Sequence, residues 1–66
     1  MDLTINGNPK AVENVSTVAD LLKTLNLDPR KVVVELNEKI VRRDQVDRVV
    51  VDDNDRIEIL RFVGGG

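Results

Sequence analysis

The chain has few of the side chains that usually carry out catalysis. Its 66 residues include no cysteine, no histidine, no tryptophan and no tyrosine, and Phe62 is the single aromatic residue. Without cysteine the chain has neither a disulfide nor a thiolate nucleophile. Ser16 is the one serine, no base stands near it in the sequence, and it is better explained as part of a helix entry. These absences argue against a free-standing enzyme.

An excess of one charge and a long apolar run are also missing. Ten Lys and Arg stand against twelve Asp and Glu, which gives a net charge of −2. Nucleic-acid binding needs a basic stripe and stacking aromatic side chains, so we expect no nucleic-acid partner. No apolar run approaches the roughly 20 residues of a membrane span, and Met1–Thr4 lacks the basic start of a signal peptide. We therefore expect no membrane association and a cytoplasmic location.

The first half of the chain predicts a β-hairpin followed by a short helix. Leu3-Thr4-Ile5 alternates as a half-buried strand does, Asn6-Gly7-Asn8-Pro9 is turn chemistry, and 10–13 is the returning strand. Thr17 is a good helix N-cap, with Asp20 three residues later as in a capping box. The apolar stripe that follows has helical spacing and consists of Val18, Leu21, Leu22 and Leu25. Asn26 is placed to end the helix in a left-handed conformation.

The second half predicts strands separated by tight turns. The strands are 32–36, which is continuous enough to lie inside a sheet, the short 40–41, and 56–62, with 49–51 as either a further strand or the approach to a turn. The turns are Asn37-Glu38 and 52–55. The order β-β-α-β-β-β predicts an α+β fold, the ubiquitin-like β-grasp, with a mixed sheet of four to five strands wrapped around one helix. Residues 1–62 would form this domain and 63–66 a flexible C-terminal glycine tail.

The acidic segment Asp52–Asp55 resembles a calcium loop only in composition. An EF-hand loop needs glycine at its sixth position and glutamate at its twelfth, where this chain has Ile57 and Val63. We therefore expect a plain turn and no metal site.

Three consecutive glycines, Gly64, Gly65 and Gly66, form the most distinctive stretch of the sequence. They give a ribbon of bare backbone that can lie extended in a slot too narrow for side chains. Three residues reach at most about 10 Å, enough to bring a terminal carboxylate into the active site of a partner. A frayed terminus is the alternative explanation of this segment.

The final strand predicts a surface for a partner next to this tail. Alternation places Ile57 and Ile59 on the core face and Glu58, Leu60 and Phe62 on the opposite face. Single exposed apolar side chains are common and need no function. An apolar pair beside a threadable terminus, however, is typical of an anchor for a partner, and we favour that interpretation.

The whole chain resembles the ThiS family of sulfur carrier proteins of thiamine biosynthesis. The similar segments are Leu3–Gly7, Thr17–Leu22, Leu27–Arg30, Val32–Asn37, Asp52–Ile59 and Phe62–Gly66. The terminal Gly-Gly is common to ubiquitin-like carriers, whereas the length and the internal segments resemble the thiamine branch. One departure is Asn26, where the family often has glycine, and asparagine tolerates the left-handed conformation.

The resemblance implies a carrier that is not itself an enzyme. A ubiquitin-activating-like adenylyltransferase would use ATP and Mg²⁺ to adenylate the carboxylate of Gly66, and the carrier would need no cofactor of its own. A persulfide supplied through a cysteine desulfurase would then give a thiocarboxylate that donates sulfur to thiazole synthase. Gly64 and Gly65 would thread the partner's channel, and Leu60, Phe62 and Val63 would dock on it. We expect the free chain to be a monomer.

Two alternatives stay open on the sequence. The small subunit of molybdopterin synthase uses the same tail chemistry but is usually longer. A plain β-grasp interaction module would use the tail only as the end of a linker.

Overall fold

Five strands of one mixed sheet pack against one α-helix. The computed structural model describes residues 1–62. In chain order the elements are β1 (Asp2–Ile5), β2 (Asn8–Ala11), α1 (Val18–Thr24), a 3₁₀ turn (Pro29–Lys31), β3 (Val32–Leu36), β4 (Lys39–Val41), a second 3₁₀ turn (Arg43–Gln45) and β5 (Arg56–Arg61). The strand order is β2-β1-β5-β3-β4. This architecture confirms the predicted α+β fold, a ubiquitin-like β-grasp. None of the helices described is long and apolar enough to cross a membrane.

The capping box of α1 forms as the sequence predicts. The Thr17 Oγ1 accepts a hydrogen bond from the Asp20 backbone N–H at 3.2 Å, and the Asp20 carboxylate accepts from the Thr17 N–H at 3.1 Å. The Ser16 N–H donates to the same carboxylate at 3.0 Å, which confirms that Ser16 belongs to the helix entry. These backbone donors, led by that of Ser16, lower the pKa of Asp20 below its usual value.

Asn26 ends the helix in the predicted left-handed conformation, with φ of 57°. Its N–H donates to the Lys23 carbonyl at 3.0 Å, and the Leu27 N–H donates to the Leu22 carbonyl at 2.9 Å. This pair of bonds is the Schellman motif, which satisfies carbonyls that would otherwise lack partners at the helix end.

The core lies between α1 and the face of the sheet that the helix covers. It consists of Leu3, Val12, Val15, Val18, Leu21, Leu22, Val32, Val34, Val51, Ile57 and Ile59. Leu25 of the predicted helix stripe packs against this cluster but is only half-buried. Aliphatic side chains therefore fill the core of the described domain, as the composition predicts.

The first hairpin turns more tightly than predicted. Asn6 and Gly7 alone form the turn, with φ of 50° and 81°, so that Asn8 and Pro9 already belong to β2. The prediction that the turn extends to Pro9 is wrong, because a two-residue turn with both φ positive matches the twist of the hairpin. Proline is tolerated there because β2 is an edge strand and loses no ladder bond.

The segment between β4 and β5 is more irregular than a strand. Val50 forms only an isolated bridge with Thr17, so residues 49–51 approach a turn and do not form a further strand. Val51 is buried against the core while Val50 is exposed. Val46, after the second 3₁₀ turn, packs against the core.

The side chain of Asn6 extends the pairing between β1 and β5. That parallel ladder ends at Ile5 opposite Ile57, and the Asn6 N–H donates to the Ile57 carbonyl at 2.9 Å. The Asn6 side-chain amide then takes the place of a further strand residue. Its Oδ1 accepts from the Ile59 N–H at 2.7 Å, and its Nδ2 donates to the Ile59 carbonyl at 3.1 Å.

We expect Asn6→Gly to lower the free energy of unfolding by about 1–3 kcal/mol, because it leaves two partly buried backbone groups of Ile59 unpaired. Glycine keeps the positive φ, so the loss reports on the side chain. The matched control is Asn14→Gly, since Asn14 also has a positive φ (58°) but makes no side-chain hydrogen bond within residues 1–62. Urea unfolding measures both changes. Equal losses in the two variants would contradict a special role for the Asn6 amide.

Candidate functional site

The alternation predicted for the last strand is confirmed. Ile57 is fully buried and Ile59 nearly so, whereas Leu60 and Phe62 are each 60% exposed. The side chains of Leu60 and Phe62 are therefore available to a partner, while β5 remains anchored in the core. Their docking role stays a prediction.

Strand register places further residues beside Leu60 on the side of the sheet away from α1. Val33 of β3 lies opposite Leu60, Glu35 lies opposite Glu58, and Ile40 of β4 lies opposite Glu35. We call Val33, Glu35, Ile40, Glu58 and Leu60 the outer face. Ile40 is 70% exposed, although β-branched side chains in a sheet are usually packed.

Sequence reasoning missed Val33, Glu35 and Ile40 as members of this surface. The alternation of each strand indicates which of its residues face away from the helix. It does not indicate which residue of the neighbouring strand lies opposite, because that depends on pairing between distant segments.

The chain leaves β5 beside a groove. The Phe62 N–H donates to the Lys31 carbonyl at 3.1 Å, so β5 stays tied to the segment before β3 up to its end. A groove of about 360 Å³ lies next to this point, with Arg61 and Phe62 on one side and Leu27 and Lys31 on the other. Val63, Gly64, Gly65 and Gly66 lie outside the described residues, so their threading, docking and modification stay predictions.

Asp28 on the rim of this groove is held by Arg30. Asp28 Oδ1 accepts from the Arg30 backbone N–H at 2.9 Å and from Nε at 3.1 Å, and Oδ2 accepts from Nη2 at 2.8 Å. The Arg30 guanidinium, followed by its backbone N–H, lowers the pKa of Asp28 to about 2. Lys31 and Arg61 have no carboxylate within 4.0 Å in the described part of the chain, so the groove is lined by these two basic side chains as well as by Asp28.

The acidic segment 52–55 serves as a turn, as predicted. The Asp55 carboxylate accepts from the Asp52 N–H at 2.8 Å and from Asn37 Nδ2 at 3.0 Å. The Asp53 carboxylate accepts from the Asp2 N–H at 2.6 Å. These carboxylates thus tie the turn to β1 and to the β3–β4 turn, and residues 1–62 contain no group of acidic side chains arranged to hold a metal ion.

The sequence and the fold of this chain match a family of known proteins. The family model for ThiS matches residues 3–66. The chain belongs to the ThiS family. The sulfur carrier protein ThiS of Bacillus subtilis is 38% identical over 65 residues, covering 97% of this chain and 98% of that protein.

A solved structure supports the same assignment. The crystal structure of the thiamine biosynthesis protein ThiS from Geobacter metallireducens is 39% identical, and each chain is covered completely at a TM-score of 0.84. The matched family thus includes a protein named as a sulfur carrier.

Some relatives are much longer than this chain. A thiazole synthase of Paramagnetospirillum magneticum is 44% identical over all 66 residues, which make up 20% of that protein. A thiazole synthase of Magnetococcus marinus is 39% identical over the same length and share. The chain thus spans about a fifth of the length of these relatives.

We expect the contribution of Asp28 to stability to disappear in acid. Its folded pKa of about 2 lies below the ordinary value of 3.8. The contribution is therefore complete above about pH 5 and is lost as the pH falls towards the folded value. Asp28→Asn should destabilise the chain at pH 7 and should differ little from wild type at pH 2.

Urea unfolding at pH 7, 3 and 2 measures how the difference in unfolding free energy between Asp28→Asn and wild type shrinks. The control is Asp47→Asn, because Asp47 is exposed and forms no ion pair within residues 1–62. A difference between Asp28→Asn and wild type that stays constant over this range would contradict the role of the Arg30 contact.

Proposed function

We propose that the chain is a sulfur carrier for thiazole formation in thiamine biosynthesis, with the Gly66 carboxylate as the group that carries sulfur. Membership in the ThiS family supports the pathway. The observation that supports the use of the tail is the end of β5. There a central strand, paired on both edges, is followed in the sequence, after exposed Leu60 and Phe62, by Val63-Gly64-Gly65-Gly66.

The proposed chemistry converts a poor electrophile into a reactive one. A Gly66 carboxylate oxygen attacks the α-phosphorus of ATP, and pyrophosphate leaves, which gives an acyl-adenylate. The terminal sulfur of a persulfide then attacks the carbonyl carbon, AMP leaves, and an acyl disulfide forms. A thiol attacks the outer sulfur of this acyl disulfide, which releases the thiocarboxylate and leaves a disulfide behind.

The role of the carrier in these steps is to bring the Gly66 carboxylate into the active site of a partner. Gly64 and Gly65 have no side chain to obstruct a narrow channel, so the Gly66 carboxylate can enter the active site of a partner. The adenylation step requires an adenylyltransferase of the ubiquitin-activating type, which uses ATP and Mg²⁺. The persulfide requires a cysteine desulfurase. The carrier has no cofactor of its own in this scheme, and ATP-dependent partners agree with the expected cytoplasmic location.

Thiazole synthase is the proposed acceptor of the sulfur. Two proteins named thiazole synthase contain a segment that matches this chain over its whole length. Joining a carrier to its acceptor raises the effective concentration of one for the other, which is useful if the two exchange sulfur. A free carrier would meet the same enzyme by diffusion.

We expect the peptide Phe62–Gly66 to gain mass when the chain is incubated with ATP, a sulfur source and host extract. Replacement of oxygen by sulfur adds about 16 Da, as does oxidation of Met1 to its sulfoxide, so the intact mass is ambiguous. Tryptic cleavage after Arg61 separates the two ends of the chain. The matched control has one residue appended after Gly66. The terminal carboxylate then lies one residue farther along the chain, and the mass gain should be abolished.

The control variant must keep its melting temperature, because the appended residue lies beyond the folded core. A mass gain in the extended variant would contradict the proposed use of the Gly66 carboxylate. No gain in the wild type, with an active positive-control carrier, would favour a plain interaction module.

We expect Leu60→Thr to weaken recognition without weakening the fold. The side chain is 60% exposed, and threonine is a β-branched residue that suits a strand. If Leu60 anchors the activating partner, the carrier concentration that gives half-maximal conversion should rise about tenfold or more. Val50→Thr is the matched control, since Val50 is 58% exposed outside the strands of the sheet. An equal response of both variants in the peptide assay would contradict the anchor.

A further inference from the structure

Two carboxylates on the outer face lie opposite each other without a counterion. Glu35 of β3 and Glu58 of β5 are directly paired across the antiparallel ladder. Like charges at such positions destabilise a sheet. In the described part of the chain, neither carboxylate has a lysine or arginine within 4.0 Å, and neither accepts a side-chain hydrogen bond. The charges of this pair therefore make no stabilising contact within residues 1–62.

Exposed apolar side chains flank the pair. Ile40 lies beyond Glu35 on β4 and is 70% exposed, and Leu60 follows two residues after Glu58 and is 60% exposed. The core of a protein interface is usually depleted of charge. Two carboxylates among apolar contacts would be costly to bury unless the partner supplies a positive charge.

The position of the outer face indicates which partner covers it. Glu58 and Leu60 lie on β5, and only residues 63–66 separate Phe62 from the end of the tail. Four extended residues reach at most about 14 Å. An enzyme that holds the Gly66 carboxylate in its active site must therefore lie against this end of the sheet. A second copy of the chain fits poorly, because a two-fold contact here would bring four carboxylates together.

We propose that the enzyme that adenylates Gly66 places one arginine or lysine between Glu35 and Glu58, within an apolar rim that contacts Ile40 and Leu60. The inference rests on the proposed function and adds the chemistry of the partner surface. A guanidinium suits the site best, because its fork can donate to two carboxylates at once. The attraction brings the carrier to the enzyme and fixes the orientation in which the tail enters.

The test compares Glu35→Gln, Glu58→Gln and the double variant with the wild type. Each glutamine keeps the size of the side chain and removes its charge. The measured quantity is the carrier concentration at half-maximal mass gain of Phe62–Gly66, in host extract with ATP and a sulfur source. We expect it to rise about tenfold in the double variant, with the same maximal conversion. The control is Glu13→Gln, which removes an exposed charge between β2 and α1, away from the outer face. It should leave the half-maximal carrier concentration unchanged.

Two further measurements separate recognition from folding. Thermal unfolding of the Gln variants should give a melting temperature equal to or above that of the wild type, because the repulsion within the pair is gone. Added salt should raise the half-maximal concentration of the wild type strongly and that of the double variant less, because salt screens exposed charges.

The outcomes against the inference are distinct from failure of the proposed function. Normal conversion with an unchanged half-maximal concentration in the double variant would overturn the inference alone. Sedimentation that shows a wild-type dimer, strengthened by the Gln substitutions, would identify a second copy as the occupant and also overturn it. No conversion of the wild type would overturn the proposed function, and the inference with it.

Discussion

Backbone pairing of β5 on both of its edges is the interaction on which the rest of the structure depends. β1 pairs with it in parallel and β3 in antiparallel orientation, so the strand that leads into the tail is the centre of the sheet. Fully buried Ile57 anchors the same strand in the core. Buried backbone groups must be paired, and where β1 ends the side-chain amide of Asn6 takes over the pairing with Ile59. The residues before the tail therefore belong to a strand that is anchored on both edges.

The two faces of β5 differ in burial, and the proposed function assigns recognition to the exposed one. The face toward α1 buries Ile57 and Ile59 and contributes to folding, whereas the outer face leaves Leu60 largely exposed. A carrier whose chemistry takes place in the active sites of partners needs little more than a rigid body, a recognisable surface and a terminus that can be threaded. The proposed function is therefore compatible with a chain that has neither cysteine nor histidine.

Signals within a few residues were sufficient to predict most of the fold. The Thr17–Asp20 capping box, the left-handed Asn26 and the alternation of β5 all depend on local chemistry, and the structure has all three. Asparagine carries much of this signal: of its six positions, every one except Asn8 has a positive φ, where other non-glycine residues are strained. The Asn6 contact with Ile59 and the grouping of Val33 with Leu60 could not be predicted in this way. They depend on how segments far apart in the chain are paired. The alternation of buried and exposed residues within one strand does not define that pairing.

The same register gives the outer face a property that its composition alone does not show. Exposed apolar side chains on a sheet favour association with any apolar surface, including another copy of the chain. The opposed Glu35 and Glu58 work against that association, since burying a carboxylate without a counterion has a desolvation cost. A partner that brings a positive charge removes this obstacle. Specificity of this kind comes from disfavouring the wrong partners as well as from contacts with the right one.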